Sequence, residues 1–181
     1  MNIVEFVKLS LGEWRSQRSA HHLAFQHFEA VTSEIAIIGL DAEDSRVIEL
    51  CKSNHIDPKL ATSPFKMTWE GESDWDEDEP ETMSGSTILV PIPDGDDLTR
   101  GKLLREQGYA ETIPSIGEYE IGEDGTFVLV TKYDRAAAEE KIWFATPNLR
   151  FRVSLIKTSS GKGVTTASFS SEIRSLKNSQ E

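Results

Sequence analysis

Cysteine is nearly missing from this sequence. Cys51 stands alone among 181 residues, so no internal disulfide can form, and a reducing compartment is the expected home. Long apolar runs are missing too: none approaches the ~18 residues a membrane-crossing helix requires. The opening MNIVEFVKLSLGEW carries Glu5 and lacks the basic start and apolar stretch of a secretory signal, so none is expected. Basic residues are scarce, 19 against 31 acidic, and the net charge of −12 repels phosphate backbones and anionic membranes. Neither nucleic acid nor membrane insertion is expected. There is no phosphate-cradling G-x-x-x-x-G-K-[ST], no dinucleotide G-x-G-x-x-G, no nucleophile elbow and no H-E-x-x-H. His21, His22, His27 and His55 fall at no recognised metal spacing with Cys51, so no metal is expected. Cys51 sits beside apolar neighbours on a helical stretch and reads as a buried, inert thiol rather than a nucleophile.

What is present is strand. The length suits one domain over 1–181. A helical stripe of Ile3, Phe6, Val7 and Leu11 opens the chain. A second helix is predicted from about Asp41 to Lys52, with Asp41 and Asp44 as a variant capping box and Pro58 and Pro64 preventing its continuation. Ten strands are predicted at Glu13–Phe25, Ser33–Leu40, Phe65–Glu70, Gly85–Pro91, Lys102–Gly108, Ile113–Ile121, Thr126–Tyr133, Lys141–Ala145, Leu149–Thr158 and Thr165–Ile173. Turn chemistry separates them: Gly122-Glu-Asp-Gly125, Thr146-Pro-Asn148 and Gly161-Lys-Gly163. The fold class is mainly β, an up-and-down antiparallel barrel with one helix at the N-terminus and one inserted, wide enough for one small ligand. The segment Glu70 to Glu81, with eight acids and no base, reads as a solvated loop.

Strand alternation sorts the side chains into faces. Trp14, Ser16, Arg18, Ala20 and His22 share one face of the first strand, and His21 lies on the other. In the strand from Leu149, the residues Leu149, Phe151, Val153 and Leu155 share one side, and Arg150, Arg152 and Ser154 the other. The plain reading turns both arginines to water. The alternative packs the apolar residues outward under the helices and points the arginines into a wet cavity, where a planar guanidinium can grip carboxylates bidentately. Trp14, Trp69 and Trp143 read individually as core or barrel-end residues, whereas Trp75, inside the acidic run, suits a lid or partner contact. On residues alone the reading ends at a ligand-binding barrel.

WRSQRSAHHLAF (Trp14 to Phe25), GKLLREQGYAE (Gly101 to Glu111), IGEYEIGEDGTFVLVTKYD (Ile116 to Asp134), EEKIWFATPNLRFRVS (Glu139 to Ser154), ASFSSEIR (Ala167 to Arg174) and a Pro93-Asp94-Gly95 turn together resemble the S/U-type phycobiliprotein (bilin chromophore) lyases, in order along nearly the whole chain. The resemblance implies a lipocalin-like, fatty-acid-binding-protein-like calyx. It implies a lyase that binds a phycobilin, phycocyanobilin or phycoerythrobilin, and joins it by a thioether to a cysteine of an apo-phycobiliprotein α or β subunit. The bilin is substrate, and no tightly bound cofactor is expected. Glu140 and Arg150 carry over as catalytic residues, and Arg18, His21, His22, Trp69, Trp75, Trp143 and Arg152 as bilin-binding ones. On this reading, arginines hold the propionates, and Glu140 pairs with protonated pyrrole nitrogens to make ring A more electrophilic. Homodimers, or heterodimers with a related lyase subunit, are compatible with the resemblance. The rival readings are a non-catalytic bilin or fatty-acid carrier and one subunit of a two-chain lyase. The implied location is a cyanobacterial cytoplasm, with a plastid stroma as the alternative.

Overall fold

The computed structural model describes residues 1–73, 81–106, 115–134, 136–158 and 163–175. Helix α1 (Ile3–Ser10) begins at a complete capping box: Glu5 N donates to Asn2 Oδ1 at 3.0 Å, and Asn2 N to Glu5 Oε2 at 2.9 Å. Ten strands follow: β1 (Gly12–His22), β2 (His27–Gly39), β3 (Phe65–Ser73), β4 (Glu81–Asp94), β5 (Asp97–Arg105), β6 (Ser115–Ile121), β7 (Phe127–Lys132), β8 (Ala136–Thr146), β9 (Leu149–Thr158) and β10 (Val164–Arg174). Each pairs antiparallel with its sequence neighbours, and β1 pairs with β10, so the meander closes into a barrel with no free edge.

The predicted strands are all present, six of them (β2, β3, β4, β5, β8 and β10) longer than predicted, while 107–108 and 113–114 of two predicted strands lie outside the described residues. β2 starts at His27, because Gln26 adopts a left-handed φ of 51° and turns the chain tightly after His22. β4 and β8 likewise extend well beyond their apolar centres. Gly125, at φ 80°, closes the β6–β7 hairpin, where Gly125 N donates to Gly122 O at 2.9 Å. Of the Gly161-Lys-Gly163 turn, only Gly163 lies within the described residues.

The second helix, α2 (Ser45–Ser53), starts four residues later than predicted. Its N-cap is Asp44, whose Oδ1 accepts from Arg46 N at 2.9 Å. Asp41 serves the preceding turn instead, accepting from Glu43 N, so the predicted capping box does not form. A single 3-10 turn, Pro58–Leu60, follows.

The two helices do different work. α2 lies on the outside, where Val47, Leu50 and Cys51 cover the outward Ile88, Val90 and Leu104. α1 plugs one end of the barrel, burying Ile3, Phe6 and Val7 against Trp14, Ile37, Leu89, Leu103 and Phe127. Phe6 stacks on Phe127 with centroids 4.4 Å apart. The strand ends His22, Ser73, Arg105, Lys132 and Thr158 lie at the opposite end, across which no described helix runs. No described helix is long and apolar enough to cross a membrane.

Candidate functional site

Both arginines of β9 point into the barrel; the reading that turned them to water is wrong. Their neighbours in register decide this. Arg150 pairs across to Glu172 and Arg152 to Ser170 on β10, while Trp14, Ser16 and Arg18 continue the same inner face on β1. The apolar side of β9 faces outward, but neither helix covers it: α1 is inside one end and α2 lies over β4 and β5. A closed barrel reverses the usual logic here. Its inner face need not be the most apolar one if the charges within it are paired.

They are paired in two groups. In the middle layer, Arg105 Nη2 lies 3.7 Å from Glu140 Oε2, and Arg152 Nη1 reaches Glu140 Oε1 at 3.2 Å. Arg152 Nε continues to Glu172 Oε1 at 3.4 Å, and Arg150 Nε donates to the other Glu172 oxygen. The chain Arg105–Glu140–Arg152–Glu172–Arg150 thus crosses the interior. Burial pushes the Glu172 carboxyl up, but Arg152 and Arg150 outweigh it and hold the group below the usual carboxylate range. Burial also pushes the Arg150 guanidinium down to about 10, which leaves it charged at neutral pH.

Arg150 is 1% exposed and lies at the plugged end. Its guanidinium sits 4.5 Å from the Trp14 ring centre, and Arg174 covers the same ring at 4.3 Å. Trp14 itself donates through Nε1 to Ser10 O at 2.8 Å, which ties the stack to the end of α1. Arg150 Nη2 is buried and makes no hydrogen bond to any described residue. A cavity of about 50 Å³ separates the plug from the charged layer, with Phe6, Met67 and Leu129 on its apolar side and Glu140, Arg150 and Arg152 on its polar side.

The second group lies nearer the unplugged end. Glu29 Oε2 meets His22 Nε2 at 3.0 Å and Arg18 Nη2 at 3.4 Å, while Ser73 Oγ donates to Glu29 Oε1 at 2.6 Å. Burial raises the Glu29 pKa, but the Ser73 and His22 hydrogen bonds and the Arg18 charge more than offset it, so it stays below its ordinary value. Arg18 Nε is buried without a hydrogen-bond partner among the described residues. The chamber around this group is lined by Ala20, Gly71, Gly117, Ala138, Ser154 and Ser168 together with the larger Val31, Met83 and Ile156. Counting both layers, four described arginines (Arg18, Arg105, Arg150, Arg152) meet three glutamates (Glu29, Glu140, Glu172), so the interior is net cationic within a chain of net charge −12.

Trp69 faces the barrel interior from β3 opposite Gly85 on β4, packed against the core under α1. A Cβ at position 85 would lie 2.4 Å from Trp69 Cζ2, so the indole rests on that glycine and its orientation depends on it.

The chain belongs to the CpeS-like family. Its residues 2–175 match the model of the CpeS-like proteins. It is 65% identical to chromophore lyase CpcS/CpeS 3 of Trichodesmium erythraeum, over 97% of this chain and all of that one. It is 61% identical to the putative phycoerythrobilin lyase CpeS of Microchaete diplosiphon, over 88% of this chain and 71% of the relative. Among solved structures it superposes on the S-type phycobiliprotein lyase CPES of Guillardia theta with a TM-score of 0.84 at 50% identity, covering 98% of this chain and 95% of that one.

Of the nine positions that the family resemblance singles out, the fold brings six together: Arg18, His22, Trp69, Glu140, Arg150 and Arg152 all face the interior. His21 and Trp143 do not join them. Alternation turns both outward, His21 against Phe28 at 5.2 Å and Trp143 against Phe151 at 5.6 Å between ring centroids. Trp75 lies outside the described residues. Sequence reading passed over Arg105, Glu29, Ser73 and Glu172. For Glu172 a signal existed, since it alternates in phase with Ser168 and Ser170 in a strand closing on β1. For Glu29 none did, because the start of β2 was not read as strand.

Proposed function

We propose that this CpeS-like chromophore lyase holds a phycobilin in the unplugged half of its barrel, and that the whole chain, 1–181, acts as one domain. The observation that carries the reading is a net cationic, carboxylate-centred constellation inside the barrel. A phycobilin is a long apolar π-system with two propionates and basic pyrrole nitrogens, and it needs these same partners. Arg18 and Arg152 pair with the propionates. Trp69 stacks on a pyrrole ring. Glu140, held from both sides by Arg105 and Arg152, faces the pyrrole nitrogens and stabilises their protonated form, which draws electrons from ring A. Arg150, buried with Glu172 and stacked on Trp14, positions Glu172 and through it Arg152.

The chemistry is an addition. The thiol sulfur of the acceptor cysteine bonds to the exocyclic carbon of the ring A ethylidene, the carbon–carbon double bond opens, and the thiol proton ends on the ring carbon. No oxidant or reductant is consumed. The acceptor supplies the nucleophile, consistent with Cys51 being buried on the inner face of α2 with its thiol pushed up by burial and then by Asp57. Orientation supplies much of the effect, since an ordered bilin presents one face of ring A. Phycoerythrobilin or phycocyanobilin is the substrate, an apo-phycobiliprotein α or β subunit the acceptor, and a cyanobacterial cytoplasm the setting.

The deciding experiment titrates bilin into the protein, follows the visible absorbance, then adds apo-phycobiliprotein and looks for zinc-enhanced fluorescence of the denatured product. Bilin binding without a covalent adduct would convert the reading into that of a carrier. Absence of binding would remove it.

A further inference from the structure

The outer surface of the barrel is not uniform: on residues 14–28 and 141–171 its described cations, Arg15, Lys141 and Lys157, are paired with Glu34 and Glu139, while Arg18, Arg150 and Arg152 point inward. The closure of β1 on β10 places these stretches side by side, because β1, β10 and β9 are neighbours. On β8, β9 and β10 several outward side chains are large and apolar. Trp143, Phe151 and Phe169 run across β8, β9 and β10 at centroid spacings of 5.6 and 5.7 Å, and no described helix covers them.

The patch continues to the unplugged end through the β1–β2 hairpin. There Leu23, Phe25 and Phe28 stand 50%, 76% and 53% exposed. The hairpin backbone is held in place: Leu23 N donates to Thr165 O at 2.9 Å, and Phe25 N to His22 O at 3.1 Å. His22, whose ring reaches inward to Glu29, belongs to the same turn. Three large apolar side chains are therefore fixed at the rim of the chamber, immediately outside the site. An exposed apolar patch of this kind marks an interaction surface.

We infer that the β1–β2 hairpin tip and the adjoining β10–β9 face form the docking surface for the acceptor subunit. The inference rests on the reading of the barrel as a bilin lyase. If α1 plugs one end, the acceptor thiol must approach ring A from the other, and the protein bearing it must seat against that rim. A second copy on this face would close the end opposite α1 of both barrels to the acceptor thiol, so an apolar face of the acceptor fits better than a second copy.

The test is the double substitution Leu23→Ser with Phe25→Ser, both exposed and outside the barrel interior. Bilin affinity, read by absorbance titration, should match the unmodified protein within a factor of two. The KM for apo-phycobiliprotein should rise about tenfold or more, as for removal of apolar interface anchors, with kcat at saturating acceptor retained. An unchanged acceptor KM in the variant would overturn the proposal. So would a halving of its mass by light scattering, which would make the face a contact between copies. Loss of bilin binding in the unmodified protein would instead strike the functional reading, and the titration separates the two failures.

Discussion

Glu172 is the residue whose loss should cost the most stability. It is 1% exposed and lies between Arg150 and Arg152, two guanidiniums that burial would otherwise leave uncompensated. Glu172→Gln keeps the shape and removes the charge. Breaking a buried ion pair from one side costs about 3–5 kcal/mol, because the remaining charge stays buried. For a chain of this size each kcal/mol lowers Tm by about 2–4 °C, so Tm should fall by about 6–20 °C. Thermal unfolding followed by circular dichroism at pH 7 measures it. A second variant separates charge from packing: Glu172→Leu with Arg150→Met replaces the pair by apolar groups of similar bulk, leaves Arg152 on Glu140, and should lose less than the single variant. The same carboxyl sets a pH dependence. Its folded pKa lies below the ordinary 4.5, so its stabilisation is complete above that value and is lost as pH falls through the folded pKa. The unmodified protein should therefore lose Tm on acidification below about pH 4.5 more steeply than Glu172→Gln, with Glu29 adding a part common to both. A Tm drop under about 3 °C at pH 7, or parallel acid profiles, would refute the reasoning.

Glu140→Gln should keep bilin binding, shift the visible spectrum of the bound bilin and slow thioether formation about a hundredfold, in line with loss of one group acting on transition-state charge; transfer kinetics equal to those of the unmodified protein would end that role. Arg152→Ala should weaken bilin binding about tenfold or more by leaving a propionate unpaired and freeing Glu140, read in the absorbance titration. Gly85→Ala should displace the Trp69 indole, at about 1–3 kcal/mol from overpacking, with a change in tryptophan fluorescence and weaker bilin binding; an unaltered emission spectrum would show that the indole is not seated on the glycine. Cys51 should resist thiol reagents in the native protein and react fully after denaturation, because burial between α2 and the barrel both shields it and raises its pKa.

The sequence by itself determined the strand count, the up-and-down order and the pairing of faces along each strand. These follow from period-two alternation and local turn chemistry, which act within a few residues. It also determined that Arg18 and His22 share a side, that Arg150 and Arg152 share another, and that His21 does not join them. Closure decided the rest. Which side of β9 is inside depends on where β10 and β1 lie, and no local pattern reports that; by apolar content alone Phe151 and Leu155 would have been the core and Arg152 the surface. The start of β2 was missed for a related reason. Glu29 is a charged residue in a short alternating run, and only Arg18, His22 and Ser73, brought from two other strands, make its burial tolerable. The same physics explains Arg105 and Glu172: a buried charge is legible only once its partners are, and those partners lie 35 and 22 residues away.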